Sequence, residues 1–279
     1  MKRLWRDRAA LAALIAIGLV TLLAVAAPAI AAVTGHGPDE QFRQTGLTPT
    51  GLPVPPNGEF WLGTDGLGRD VLVRLAYGAR VSLLAGVVAS TLAVLLGVVV
   101  GLAGGYLGGT VDGLLGRLMD VVLAFPVLLF AIALVSVSGP GLAVSVLVIA
   151  GFSWASVGRV VRGEALAARE REYVTAARSI GAGAGRIMFV EVLPNVAGPV
   201  IVSATLLVPT AILFEATLSF LGLGIAPPTA SWGGMLAEAQ EYYRVAWWFL
   251  LFPALALLLT TLAFNLLGDG LRDALAREP

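Results

Sequence analysis

Two acidic residues, Glu215 and Asp120, lie within long apolar stretches and are the first candidates for chemistry. A carboxylate inside a membrane-spanning helix costs about 3 kcal/mol unless it is paired or faces water. Glu215 therefore either lines or gates a route for a substrate, or anchors the fold by hydrogen bonds to backbone or to an arginine at the outer boundary. Asp120 has Arg117 one turn away on the same predicted helix. That spacing favours a structural ion pair over a place in a pathway or gate.

The sequence contains no set of residues for enzymatic catalysis. It has no cysteine and a single histidine, His36, which we expect in a solvated loop. We find no Ser–His–Asp set and no carboxylate pair beside a nucleophile. The Gly-x-x-x-x-Gly-Lys-Ser/Thr motif that cradles the phosphates of ATP is also missing. The chain is therefore predicted not to be an enzyme, to hold no cofactor or metal, and to rely on a partner for energy from ATP.

The composition places the chain in a membrane. Of its 279 residues, 58% are hydrophobic and 13% are charged, whereas a soluble domain carries about 25% charged residues. Several apolar runs exceed the roughly 18 residues that cross a bilayer as a helix. The sequence predicts an all-α, polytopic membrane protein with six transmembrane helices, at 9–33, 81–103, 114–136, 142–161, 196–223 and 245–267. Because the net charge is zero and no basic tract occurs, nucleic acid is not an expected partner.

The distribution of basic residues predicts the orientation of the spans. Four basic residues within 1–8 precede the first apolar run, and most other arginines fall on the same side. A cleaved secretory signal, with small residues at 27–31 as its cleavage site, is the alternative to an uncleaved first span. The run is longer than the core of a signal, about 7–15 residues, which favours the span. The positive-inside rule then places both termini in the cytoplasm.

Local patterns refine the predicted helices. The Pro-, Gly- and Thr-rich segment 34–80 is predicted to be extracytoplasmic and to end in a short surface helix, 71–79, with Arg74 and Arg80 in water. In the second span, Gly97 and Gly101 are predicted to let another helix approach closely. The next glycines of this four-residue repeat, at 105, 109 and 113, are predicted to mark a turn. In the third span, Pro126 predicts a kink.

The segment 163–195 is a polar-bearing stretch between two apolar runs, and the charge distribution places it in the cytoplasm. Period-3.6 spacing predicts a helix with Leu166, Tyr173, Ala177 and Ile180 on one side, broken by the glycines at 181, 183 and 185. A second short helix, 186–192, is predicted to stop near Pro194. The pattern alone leaves two alternatives open, a functional helical hairpin and a solvated connector.

This segment resembles the cytoplasmic coupling loop of ABC importer permeases, whose pattern is Glu-Ala-Ala, three residues, Gly, nine residues and Ile-x-Leu-Pro. The run Tyr-Val-x-Ala-Ala-Arg-x-x-Gly-Ala at 173–182 is similar to the peptide and nickel branch of these permeases. Thr175 and Glu191 stand where the general pattern has Glu and Ile. The positions that fall in register are Ala176, Ala177, Gly181, Leu193 and Pro194.

Four further strings resemble the permeases of dipeptide, oligopeptide and nickel importers, and together they cover nearly everything from Trp61 onward. They lie within 62–80, 112–126, 214–233 and 265–273. The resemblance implies the type I ABC importer permease fold, of the second of the two permease types. It also implies that residues 1–60 form an N-terminal cytoplasmic tip, the first transmembrane helix and an extracytoplasmic loop. A permease core with five transmembrane helices and the coupling loop 163–195 would follow in 61–279.

The resemblance implies a bacterial inner-membrane permease subunit that forms half of a pathway for di- or oligopeptides, driven by ATP through alternating access. The partners implied are a homologous second permease as heterodimer, two cytoplasmic ATP-binding subunits and an extracytoplasmic substrate-binding protein. The residues that would enter the groove of the ATPase are Glu172, Tyr173, Ala176, Ala177 and Gly181.

Two alternatives stay open at this point. An ion-coupled secondary transporter would show inverted repeats and charges near the middle of the membrane. We find no such repeat, and Glu215 is the one strong candidate for such a charge. An ABC importer for nickel or glutathione-like peptides is the other alternative, because in this family the separate binding protein largely sets the cargo.

Overall fold

The structure is a computed structural model that describes residues 7–275. Within this range the chain forms α-helices and one π-helical segment, Ile187–Val192, with no β-strand, which confirms the all-α prediction. The helices are α1 Arg8–Thr34, α2 Val71–Leu107, α3 Gly109–Ala124, α4 Val127–Ser138, α5 Leu142–Arg169, α6 Glu172–Ser179, α7 Ala184–Arg186, α8 Leu193–Asn195, α9 Ala197–Phe220, α10 Trp232–Ala239 and α11 Trp247–Leu275.

Among the described residues, five helices are long and apolar enough to cross a membrane: α1, α2, α5, α9 and α11. The helices α3 and α4, of 16 and 12 residues, are long enough to cross a membrane only when taken together, and the pair is bent by 81°. Neither helix alone reaches the roughly 30 Å of a bilayer core at about 1.5 Å per residue. The described chain therefore has the predicted six spans if the bent pair α3 and α4 is counted as one span.

The bend between α3 and α4 is much sharper than the predicted kink. Phe125 adopts an extended conformation, with φ −78° and ψ 134°, because the ring of Pro126 disfavours a helical residue before it. Phe125, Phe130 and Phe152 then pack around the break, with ring centroids 5.2 to 6.3 Å apart. The break is thus braced against α5 by aromatic contacts.

Two helices continue beyond their apolar runs at their C-terminal ends. α5 continues to Arg169 and α11 to Leu275, so the predicted charged tail 271–279 begins as helix. The basic residues Lys2, Arg3 and Arg6, on which the predicted orientation partly depends, lie outside the described residues.

α2 begins well before its apolar run. The Oδ1 atom of Asp70 accepts hydrogen bonds from the backbone N–H groups of Leu72 and Val73, at 2.8 and 3.3 Å, and so caps the helix. No break separates 71–79 from 81–103, so the prediction of a separate surface helix is wrong. The prediction that Arg74 lies in water is also wrong, since its exposed fraction is 1%.

The segment between α1 and α2 packs as a cap over the N-terminal end of α2, and ion pairs explain why Arg74 is buried there. Its guanidinium lies 3.3 to 3.5 Å from carboxylate oxygens of Asp65, Asp39 and Glu238. Arg69 also pairs with Asp65 and Glu238. Burial raises the pKa of Glu238, against the opposing effect of Arg74 and Arg69. The cap therefore ties the loop before α2 to α10.

His36 belongs to the same cap and is not solvated as predicted. Its exposed fraction is 7%, and its Nδ1 atom lies 2.7 Å from Oδ2 of Asp70, the residue that caps α2. The imidazole packs against Phe42 and Phe60, with ring centroids 4.5 and 4.9 Å away. Aromatic packing and one polar partner thus compensate for the loss of water around the ring.

The tightest helix contact joins α2 to α5 through glycines on α2. A Cβ atom added to Gly97, Gly101 or Gly105 would lie 2.6 to 2.8 Å from a carbonyl oxygen of α5. The close approach predicted for the first two is therefore confirmed. The predicted turn is wrong at Gly105, which lies within α2, and at Gly113, which lies within α3. It is confirmed at Gly109, since the chain turns at Gly108 and Gly109, where φ is 68° and 56°.

Candidate functional site

The first candidate site is α6, a two-turn helix between the ends of α5 and α9. Two residues after its end, Gly181 adopts the left-handed conformation, with φ 80°. Glycine takes up this conformation without strain, as the predicted turn at this position needs. The N–H of Ala182 donates to the carbonyl of Ala177 and that of Gly181 to the carbonyl of Arg178, both at 3.1 Å. This pair of bonds is the Schellman arrangement, which satisfies the last carbonyl groups of a helix. The tip of α6 is thus fixed in shape.

The two faces of α6 have different surroundings. Val174 and Ala177 are buried, with exposed fractions of 0% and 7%. They pack in one apolar cluster with the ends of α2 and α5 and with the π-helical segment. The methyl group of Ala177, which the resemblance places in the groove of the ATPase, thus packs within this chain. Tyr173 is half-buried beside the same cluster.

The outward face of α6 consists of Glu172, Thr175, Ala176 and Ser179, and Ile180 follows at its end. Ile180 has an exposed fraction of 84%, a high value for a large apolar side chain. Periodicity predicted it on the buried side because the helix was expected to continue through it. The helix ends at Ser179 instead, and the glycine turn directs Ile180 outward. Ile180 is thus a candidate contact that the sequence analysis missed.

α6 contacts the rest of the chain at several points. Arg178 places its guanidinium carbon 5.7 Å from the ring centroid of Tyr106, near the C-terminal end of α2. Ile187 and Val192 of the π-helical segment are buried against the same cluster, with exposed fractions of 1% and 0%. A displacement of α6 would therefore act on α2, α5 and the chain that enters α9.

Leu193 and Pro194 lie behind α6, at the far end of this hairpin. Leu193 is half-buried against the apolar cluster, and Pro194 is exposed. The helical segment ends at Asn195, one residue after Pro194, and α9 starts at Ala197, so the predicted stop near Pro194 is confirmed although the proline itself lies within α8. Proline is tolerated in the first turn of a helix, where its missing N–H has no partner to lose.

A polar groove of about 760 Å³ runs beside α6. It lies between the end of α5, the start of α6 and the start of α9, and both acidic and basic residues line it. It gives α6 an accessible flank as well as an accessible tip. The lining residues are Glu164, Ala167, Ala168, Glu170, Arg171, Glu172, Tyr173, Asn195 and Val196.

Glu215 is fully buried and is held by serines. Ser82 of α2 donates to its Oε2 atom at 3.0 Å, and Ser219 donates to its Oε1 atom at 2.7 Å. The Oγ atom of Ser82 also accepts from the backbone N–H of Trp232, at 3.3 Å. Glu215 thus joins α2, α9 and α10. Its predicted anchoring partners, backbone or an arginine, are replaced by hydroxyl groups.

Asp120 pairs with an arginine of another helix. Its Oδ1 atom lies 2.6 Å from Nη2 of Arg159, which joins α3 to α5, so the predicted pair with Arg117 is wrong. Arg117 and Asp120 are one turn apart on α3, but the carboxylate of Asp120 pairs with Arg159 on the neighbouring helix α5. Both paired side chains are more than half exposed. A second such pair, Asp112 with Arg162, lies beside it around a cavity of about 200 Å³.

Within residues 7–275, no three acidic or histidine side chains come together as metal ligands. The candidate residues therefore lie at three separate places. These are the hairpin at α6, Glu215 between α2, α9 and α10, and Asp120 between α3 and α5.

The family model described as "binding-protein-dependent transport system inner membrane component" matches residues 93–278. This match includes α6, Glu215 and Asp120, and it begins within α2. Every candidate residue named above thus lies within the part of the chain that the model matches.

Curated relatives match almost the whole chain. The di/tripeptide transport system permease protein of Pseudomonas aeruginosa is 45% identical over 99% of this chain and 91% of its own length. The dipeptide transport system permease protein of Escherichia coli K12 is 48% identical over 97% and 89%. The oligopeptide transport system permease protein of Salmonella typhimurium is 43% identical over 98% and 88%.

Proposed function

Because this chain belongs to the family of binding-protein-dependent transport system inner membrane components, we propose that it forms half of the translocation pathway of a bacterial ABC importer for peptides. The cargo is proposed from the names of three relatives, which are permeases for dipeptides, di- and tripeptides and oligopeptides. These names favour peptides over a nickel complex. Family membership favours an ATP-driven importer over an ion-coupled transporter.

The proposed assembly contains this chain, a homologous second permease, two cytoplasmic ATP-binding subunits and an extracytoplasmic substrate-binding protein. The chain contributes no catalysis and holds no cofactor. It lies in the inner membrane with both termini in the cytoplasm. Its permease core is 61–279, preceded by the first transmembrane helix and a loop in 1–60.

The observation that carries the proposal is the shape of α6. It presents Glu172, Ala176 and Ile180 on an accessible face, while Val174 and Ala177 hold it against the core of this chain. A short helix whose outward face carries mostly small side chains, with an exposed isoleucine directly after it, suits a groove on a partner. We infer that this face docks on an ATP-binding subunit, and that Gly181 sets the tip that enters it.

Coupling then follows from the packing behind α6. Closure of the ATP-binding subunits would displace α6, and the shared apolar cluster would pass the displacement to α2, α5 and α9. Rigid helices that pivot together in this way can open a pathway alternately to either side. Leu193 and Pro194 serve this step as the rear support of the hairpin.

The two carboxylates have different proposed roles. The pair of Asp120 with Arg159 is exposed on the chain and joins α3 to α5, so it is our candidate for a pathway or gate contact. Glu215 is enclosed, and we propose that it holds the extracytoplasmic helix α10 in place over α2 and α9.

Reconstitution tests this function. The complete importer in liposomes, with binding protein outside and ATP inside, is expected to accumulate a labelled dipeptide. Uptake should require hydrolysable ATP and persist when ionophores remove ion gradients. Uptake that follows an ion gradient without ATP would contradict the proposal, and uptake of nickel in place of peptide would contradict the cargo.

A further inference from the structure

A groove of about 400 Å³ lies on the outside of the helix bundle, between α1, α2 and α11. Its walls are largely apolar, from Val25 of α1, Leu84 and Val87 of α2 and Phe264 of α11. Among residues 7–275, the one charged side chain in its lining is that of Arg80. The groove thus combines a hydrocarbon wall with a single cation.

The groove opens on a surface that suits lipid. Val25, Leu84 and Val87 are 71%, 52% and 45% exposed, and the apolar stripe continues down α2 at Leu95 and Val99, 58% and 52% exposed. Large apolar side chains exposed at this level of a membrane protein face hydrocarbon.

Arg80 stands at the outer boundary of the membrane. It directly precedes the apolar run 81–103, and its guanidinium carbon lies 5.7 Å from the ring centroid of Tyr77. Aromatic and basic side chains are typical of this interface. No carboxylate of residues 7–275 forms an ion pair with Arg80, in contrast to Arg69 and Arg74 nearby.

The groove runs inward from this cation. Thr21 and Phe264, which also line it, lie near the middle of α1 and α11, whereas Arg80 lies toward the outer end of α2. A ligand that fills the groove therefore needs a negative charge at the interface and a hydrocarbon chain pointing to the centre of the membrane.

We propose that this groove binds an anionic phospholipid of the outer leaflet, with its phosphate at Arg80 and one acyl chain between α1, α2 and α11. The charge of the headgroup complements a guanidinium that has no acidic partner within the described chain. The exposed aliphatic wall takes the acyl chain, and the lipid fills the space between the first span and the permease core.

Lipid quenching tests the proposal on the complete importer. Because the chain has no cysteine, a Leu84→Cys variant, with partner subunits free of cysteine, accepts one fluorophore in the groove. Brominated phosphatidylglycerol should quench it about five times more effectively than brominated phosphatidylcholine, the preference that one basic residue gives near a charged membrane surface.

Substitutions of Arg80 decide whether this preference arises at the groove. Arg80→Gln in the labelled variant should abolish the preference for phosphatidylglycerol while general quenching persists. Arg80→Lys should keep it. Arg43→Gln removes an equal charge from the extracytoplasmic segment, away from the groove, and should leave the preference unchanged.

Three results would overturn the proposal. One is equal quenching by the two lipids in the native background, and another is a preference that survives Arg80→Gln. The third is no quenching by either lipid, since another subunit would then cover the groove.

Discussion

At the scale of single residues, Glu215 shows how a carboxylate is kept in the apolar interior without a cation. Two serine hydroxyl groups donate to it, one from its own helix at Ser219 and one from α2 at Ser82. Hydrogen bonds to a buried polar group offset its loss of water. The same contacts hold three helices together, so stability is the property that Glu215 should control first.

We therefore expect Glu215→Ala to destabilise the permease by about 2–4 kcal/mol, because two buried hydroxyl groups and a cavity are left behind. Glu215→Gln retains an acceptor and should cost less than half as much. Thermal unfolding of the purified complex measures both variants, beside peptide uptake at matched protein levels. Normal stability with lost uptake in Glu215→Gln would instead indicate a role in the pathway.

Contacts between residues that are distant in the sequence are the hardest to predict. Arg117 was predicted for Asp120 because a spacing of three residues is visible in the sequence, whereas Arg159 is 39 residues away. His36 and Asp70 are 34 residues apart, and no spacing or motif in the sequence links the two. Such pairs depend on how the helices pack, so they follow from the tertiary structure and not from local spacing.

At the scale of elements, periodicity and small residues predicted much of the architecture. Apolar runs located the long helices, and the glycine repeat predicted the contact of α2 with α5. Helix ends were less predictable, since the N-cap at Asp70 lengthens α2 and the end of α6 at Ser179 turns Ile180 outward. Each error comes from a cap or turn that outweighs the hydrophobic pattern.

The glycine contact gives a matched pair of variants. Gly101→Leu should prevent normal assembly, because a Cβ there would lie 2.6 Å from the carbonyl oxygen of Gly158. Gly113→Leu should be tolerated, since no atom lies within 4 Å of the added Cβ. Both substitutions replace a helical glycine by leucine, so the helix propensity improves by a similar amount, about 1 kcal/mol, at each position. Size-exclusion profiles in detergent measure the outcome, and normal profiles for both would show that α2 and α5 do not pack this way.

At the scale of the whole molecule, the apolar cluster behind α6 joins the C-terminal ends of α2 and α5 to the chain that enters α9. The cap formed by the segment before α2 holds the opposite end of α2 through Arg74 and Asp70. α2 is thus fixed at both ends, and it links the hairpin at α6 to this cap. Such a rigid element suits a subunit that moves as one body.

The orientation of this body is a prediction from the distribution of arginines. A reporter fused after Pro279 should be active only as a cytoplasmic reporter, and one inserted near Pro55 only as an extracytoplasmic reporter. An insertion near Gly183, in the hairpin, should report the same side as the C-terminus. Activity of the Pro55 and Pro279 fusions on one side would exclude the six-span arrangement.

The central claim is that the outward face of α6 docks on an ATP-binding subunit, and cysteine reactivity tests it most directly. Because the chain has no cysteine, single variants Ala176→Cys, Ile180→Cys and Ala177→Cys can be compared with and without the ATP-binding subunits. Ala176→Cys and Ile180→Cys should react with a bulky maleimide in the permease pair and be protected in the full importer. Ala177→Cys should be unreactive in both, and Leu52→Cys on the outer side should react in both. Unchanged reactivity at positions 176 and 180 after assembly would contradict the claim.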